Sequence, residues 1–237
     1  MIKKINLLLI FLIVSLLSTT ACDAGYKIAP VVSDERQYGG VENMHNLYSE
    51  KEWPELNRFR CDIKGLWGFK NEEGDIAIEP KFFGVGVFSE GLAFVALGDS
   101  EGSGGGFIDT QGQLVIYLPV IFEARPFSEG LAAVSLRRWN YKKDGESFII
   151  GTLGPFVFID RNGDVAISQE FGSVTGFVNG IARVTTANNT VIFINSLGKN
   201  AFGLEFLQAQ DFIDGRARVR LLDGVRVYID RNGNIIE

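Results

Sequence analysis

Two series of glycines run through this chain in step, and together they restrict what it can fold into. Gly74, Gly112, Gly163, Gly198 and Gly233 are separated by 38, 51, 35 and 35 residues, and Gly91, Gly130, Gly180 and Gly215 by 39, 50 and 35. Series that stay in phase through insertions of unequal length mark a repeated unit of about 35 residues. A unit of that size cannot bury a core alone, so neighbouring units must cover one another's apolar faces.

Four stretches align on these glycines, at residues 66–97, 106–136, 156–186 and 191–221, and a terminal hairpin follows at 225–236. Each opens on a short aromatic strand, such as Trp67-Gly68-Phe69 or Phe158-Ile159, that runs into Asp or Asn three residues ahead of a glycine. The Asp or Asn (Asn71, Asp109, Asp160, Asn195, Asp230) caps the turn, and the glycine supplies the positive φ of a hairpin loop. A second strand follows, as in Ile76-Ala77-Ile78. A connector then leads to an aromatic-x-x-Gly element (Phe88, Phe127, Phe177, Phe212) whose glycine opens a third strand. Alternation in that strand, as in Arg216, Arg218 and Arg220, predicts one wet face.

The expected fold is therefore all-β, a tandem array of three-stranded repeats, either an open solenoid or a closed five-unit ring resembling a propeller. Residues 53–62 read as a worn third strand, because Glu55 and Phe59 lie 35 positions before Glu90 and Phe94. Such a strand could pair with the terminal hairpin to close a ring and hide the edges that an open array must cap. The repeat domain is thus assigned to 53–237.

The first residues carry a different signal. Lys3 and Lys4 precede an almost wholly apolar run, Ile5–Leu17, and then Ser18-Thr19-Thr20-Ala21-Cys22. This is the layout of a secretory signal peptide, assigned to 1–21, and the run is shorter than the ~18–20 residues of a spanning helix. Small residues leading into a cysteine resemble the bacterial lipoprotein lipobox, although Thr19 stands where that family usually has leucine. The resemblance implies that Cys22 becomes the mature N-terminus and carries a lipid, with attachment to the membrane of the cell envelope. Cleavage near Ala21 or Ala24, giving a secreted soluble protein, is the competing reading. Residues 22–52 read as a tether with at most a short helix around Met44–Glu52. The second cysteine, Cys61, pairs with Cys22 in a disulfide or, if Cys22 is lipidated, becomes a small buried hydrophobe.

The phrases Gly-Leu-Trp-Gly-Phe (65–69), Phe-Ser-Glu-Gly-Leu-Ala (88–93 and 127–132) and Ile-Asp-x-x-Gly resemble WG-repeat (KWG) proteins over residues 66–236. The Trp-Gly pair itself stands only at Trp67-Gly68. The resemblance implies a binding or scaffold module with no general catalytic set, and no cofactor.

Net charge is −6, and −8 once Lys3 and Lys4 leave with the signal peptide, which argues against nucleic acid as a partner. Gly98-Asp99-Ser100-Glu101-Gly102 matches G-x-S-x-G, but a nucleophile elbow needs a later histidine, and the single histidine, His45, lies upstream. A hydrolase with Ser100, Asp75 and His45 is the rival reading. No catalytic residue is assigned. The turn aspartates would bind calcium only if the turns stacked along one rim, and no metal site is assigned either. The insertion at 137–151 sets Arg137, Arg138, Lys142 and Lys143 around Trp139 and Tyr141. A basic aromatic loop on an acidic body is a candidate contact surface for an envelope protein or a cell-wall glycan; an overlong hairpin lying on its neighbour is the structural alternative. Arg216, Arg218, Arg220 and Arg226 read as a solvated strand face.

Overall fold

A computed structural model describes residues 52–61, 65–98, 104–119, 121–138 and 152–236, without the side chains of 122, 136–138 and 152–154. Every regular element among them is a strand. The first sheet holds β1 (Asn57–Arg60), β2 (Trp67–Lys70) and β3 (Ile76–Phe82). The second holds β4 (Gly84–Val85), β5 (Ala93–Ala96), β6 (Gly105–Ile108) and β7 (Leu114–Leu118). The third has β8 (Ile121–Ala124), β9 (Ala132–Arg138), β10 (Thr152–Ile159) and β11 (Val165–Phe171). β12 (Ser173–Val174), β13 (Ile181–Thr185) and β14 (Val191–Asn195) form the fourth, and β15 (Gln208–Ala209), β16 (Arg216–Arg220) and β17 (Arg226–Asp230) the fifth. The chain is an all-β tandem array of short strand units, in open sheets that do not close into barrels.

The sheets are out of phase with the sequence repeats. Each joins the third strand of one repeat to the first strand of the next, as in β5 with β6 (Ala93↔Ile108, Val95↔Gly106). β1 pairs with β2 in the same way (Arg58↔Phe69, Arg60↔Trp67), so residues 57–60 do form the worn third strand. A repeat is therefore stitched covalently into two consecutive sheets. The connectors add short strands that the sequence reading left out: β4, β8, β12 and β15 pair with the free edge of the third strand. Three of these are two residues long, too short to show any periodicity.

The fourth repeat departs from the others. Its second strand is reduced to the isolated pairs Ile194–Asn200 and Val191–Phe206. The Asn200 side chain accepts hydrogen bonds from the N–H groups of Phe202 (3.2 Å) and Gly203 (3.0 Å), which turns the backbone out of the ladder.

Successive sheets pack face to face around an apolar cluster. Phe69, Ile78 and Phe82 meet Ala93, Val95 and Ile108 between the first two sheets. Phe107 and Ile116 then meet Phe127, Val134 and Ile159; Phe158 and Phe171 meet Phe177, Val184 and Ile194; and Phe193 meets Phe206, Val219 and Ile229. Adjacent residues of one strand serve opposite interfaces, Phe107 and Ile108 for example, because successive side chains point to opposite faces. Fully burying such a side chain contributes roughly 1.5–3 kcal/mol.

This arrangement corrects the expectation of one wet face. It holds at the end of the array, where β16 alternates between exposed arginines and buried Ala217 and Val219. In the middle of the array, Ala132, Ala133, Val134 and Ser135 of β9 are all buried, since a sheet lies over each face. The outer face of the fifth sheet, with Arg216, Arg218, Arg226 and Tyr228, is exposed.

The hairpin glycines have a second reason to be glycine. A Cβ on Gly198 would lie 2.7 Å from Ile167 Cγ2 of the preceding sheet, and the corresponding positions on Gly112 and Gly163 meet Ile78 and Ile116. Gly74, in the first sheet, has no sheet before it among the described residues and nothing within 4 Å.

Candidate functional site

The Asp and Asn residues of the hairpin loops act within their own turns. Asp160 Oδ1 accepts from the N–H groups of Asn162 (2.8 Å) and Asp164 (3.0 Å), and Asp109, Asn195 and Asp230 repeat both bonds. Asn71 Oδ1 makes one, from Asp75 N–H at 2.8 Å. Hydrogen bonds from the Asn234 side chain, and from the backbone of Asn234 and Asn232, hold the Asp230 carboxyl below its usual pKa. Among the described residues, no three His, Cys, Asp or Glu side chains come together as a candidate metal site.

The aromatic-x-x-Gly elements form a second row of turns, whose role the sequence reading did not find. Glu90-Gly91, Glu129-Gly130, Asn179-Gly180 and Asp214-Gly215 all have positive φ at both residues (52° and 75°, 55° and 81°, 52° and 80°, 50° and 80°). These are the central pairs of two-residue hairpin turns of the mirror-image type, bridged as in Ser89↔Leu92. Asn and Asp tolerate that conformation, whereas for glutamate it costs roughly 1–2 kcal/mol.

What offsets the cost is a ladder from turn to turn. Glu90 accepts from Glu129 N–H at 2.5 Å and Gly130 N–H at 3.0 Å, and Glu129 accepts from Gly180 N–H at 2.8 Å. Ser89 Oγ donates to the Phe127 carbonyl at 2.6 Å, and Ser128 Oγ donates to that of Phe177. Hydrogen bonds to a charged acceptor contribute roughly 1.5–3 kcal/mol. Arg161 completes the step, its guanidinium 3.5 Å from Glu90 and 5.5 Å over the Phe127 ring. At the start of the row, the Trp53 ring packs on Gly91, in the space a Cβ would need. Glutamate in place of Asn or Asp ahead of a turn glycine, and the phrase Asp-Arg-Asn-Gly at 160–163 and 230–233, were the available signals.

Of the residues singled out in the insertion, Arg137 and Arg138 end β9, in backbone register with Leu153 and Thr152 of β10. Trp139, Tyr141, Lys142 and Lys143 lie outside the described residues, as do Cys22, His45, Ser100 and all but the last residue of the Met44–Glu52 segment. Asp75 sits in the first hairpin turn. Arg216, Arg218, Arg220 and Arg226 share the outer face of the last sheet with Tyr228; Arg216 lies 5.3 Å over the tyrosine ring and Arg220 Nε donates to Gly224 O at 3.3 Å. Cys61 is buried, at 6% exposure, and disulfide-bonded.

Residues 67–99, 106–137 and 158–189 match the family described as WG containing repeat, so over this part of the chain the sequence is made of WG repeats. The unit at 191–221 lies outside the match, although it repeats the same turns and sheet pairing. No curated protein sequence matches the chain. Among solved structures, AztD from Citrobacter koseri is similar at 16% identity and a TM-score of 0.39, over 78% of this chain and 69% of that one. BamB from Moraxella catarrhalis is similar at 12% identity and 0.41, over 77% and 60%. The computationally designed Ika8 protein is similar at 11% identity and 0.40, over 79% and 72%.

Proposed function

With WG containing repeats over three of its units as the premise, we propose that this protein is a non-catalytic binding or scaffold module of the bacterial cell envelope that engages another protein. The observation that supports this reading is how the repeated polar groups are used. Asp109, Asp160, Asn195 and Asp230 cap their own hairpins while Glu90 and Glu129 fasten one turn to the next, so the repeat's recurring chemistry goes into extending a surface.

The proposed contact surface is the insertion carrying Arg137, Arg138, Trp139, Tyr141, Lys142 and Lys143. In sequence it links β9 to β10, which pair as far as Arg138 and Thr152. Crosslinking and pulldown from the native host, with a variant lacking residues 137–146 alongside, tests the reading. One specific envelope protein captured by the intact chain and lost with the loop is the expected result. An unchanged catch removes the loop from the interface, and no specific catch favours a plain structural spacer or a cell-wall glycan as ligand.

Export rests on Lys3, Lys4 and the apolar Ile5–Leu17 run, and the lipid anchor on Cys22. The disulfide at Cys61 favours a second reading of the N-terminus, because Cys22 is the one other cysteine in the chain and a sulfur in a disulfide cannot also carry a thioether. Intact mass of the exported protein separates the two: a diacylglyceryl adduct on Cys22 with Cys61 reactive to alkylation, or an unmodified chain two hydrogens lighter than its reduced form.

A further inference from the structure

The row of turns has one empty step, and its geometry points to a ligand. At each of the first two steps, a glutamate of one turn sits on N–H groups of the next: Glu90 on Glu129 and Gly130, Glu129 on Gly180. At the third step the residue in the glutamate position is Asn179, and no hydrogen bond joins its side chain to Asp214 or Gly215. Yet the receiving turn has the same conformation, with φ of 50° at Asp214 and 80° at Gly215, against 55° and 81° at Glu129 and Gly130. Asp214 and Gly215 are both exposed.

The cation of the site is also duplicated. Arg161 follows Asp160 in the hairpin beyond the second turn, stacks over Phe127 and pairs with Glu90. Arg231 follows Asp230 in the hairpin beyond the fourth turn, stacks 5.1 Å over Phe212 and donates to the Val178 carbonyl at 3.4 Å. The donor set that holds Glu90 in the second turn is thus rebuilt at the fourth: two successive turn N–H groups and an arginine over the turn's aromatic ring, with no carboxylate among the described residues hydrogen-bonded to the pair. Successive N–H groups in such a turn form an anion-binding concavity, and the arginine makes the contact charge-assisted.

We propose that Asp214 N–H, Gly215 N–H and Arg231 form a binding site for the carboxylate of an acidic side chain on a partner protein. The partner's glutamate or aspartate takes the place that Glu90 takes within the chain. Val178 and Ile213, exposed at 59% and 71%, flank the site and suit an apolar residue beside the partner's acid. This site is separate from the 137–143 insertion and does not depend on that loop binding anything.

The test is a titration of the full-length 15N-labelled chain with N-acetylglutamate methylamide, following the Asp214 and Gly215 amide resonances. N-acetylglutamine methylamide and inorganic phosphate serve as parallel probes. Both amides should shift with the glutamate compound and not with the glutamine one. Arg231→Gln should weaken binding by about tenfold, the loss of one charge-assisted contact. Asn179→Glu should abolish it by placing the chain's own carboxylate in the site, while Asn179→Gly, which keeps the positive φ and leaves the step empty, should bind like the parent chain. The proposal fails if the two amides do not move, if glutamine shifts them equally, if phosphate alone binds, or if Asn179→Glu, with an otherwise intact spectrum, binds as well as the parent.

Discussion

The carboxylate of Glu90 accepts hydrogen bonds from the backbone N–H of Glu129 at 2.5 Å and of Gly130 at 3.0 Å, so one turn of the array holds the next through a residue whose own backbone is in the left-handed region (φ 52°). Glu90→Ala is expected to lower stability by about 2 kcal/mol, within the range for losing a hydrogen-bonded charge. Glu90→Gly should cost less, because glycine adopts that φ freely. Urea denaturation compares the two; a stabilising Glu90→Gly would mean that the turn conformation outweighs the ladder.

The hairpin glycines offer a comparison between conformation and contact. Gly74 and Gly198 both have positive φ (88° and 75°), but only Gly198 faces the preceding sheet, 2.7 Å from Ile167 Cγ2. Alanine at either position should cost roughly 1–2 kcal/mol for the backbone alone. Gly198→Ala should lose a further ~1–3 kcal/mol from overpacking. Equal losses in thermal or urea unfolding would contradict the glycine-on-isoleucine contact.

Packing between sheets should dominate the stability of the array. Phe158, 1% exposed, lies between the third and fourth sheets with its ring 5.2 Å from Phe177 and 6.3 Å from Phe171. Phe158→Ala is expected to cost about 3–5 kcal/mol. Ile213→Ala, at 71% exposure, should stay within about 0.5 kcal/mol of the parent. Denaturation midpoints measured on both variants check the contrast.

Asp230 makes the terminal hairpin sensitive to acid. Its folded pKa is depressed, first by the Asn234 side-chain hydrogen bond. Its contribution is therefore complete above the unfolded aspartate value of about 3.9 and is lost as pH falls through the lower folded value. Titration of the Asp230 carboxyl carbon by NMR should show a midpoint below that of an unfolded aspartate. Asp230→Asn should remove this part of the acid dependence of stability; a midpoint at or above the unfolded value would overturn the assignment.

The turn chemistry and the repeat length were legible because they are local. Asn71, Asp109, Asp160, Asn195 and Asp230 cap the turns their spacing predicts, and residues 57–60 form the third strand that their offset from Phe94 suggested. The short strands β4, β12 and β15 were not legible, since a two-residue pairing is imposed by the neighbouring strand rather than by its own pattern. Nor was the role of Glu90: the sequence shows a glutamate before a glycine, while its partners stand 39 and 40 residues away.

Taken alone, the sequence determined a tandem all-β array, its phase and its turn positions, because φ preferences and strand alternation act over a few residues. Only the tertiary structure decided that the sheets straddle the repeats, that β9 is covered on both faces while β16 keeps one face in water, and that Asp214 and Gly215 present the N–H pair that the second turn gives to Glu90. Those outcomes depend on which sheet lies against which, a relation between residues that the chain brings together only when the whole array has folded.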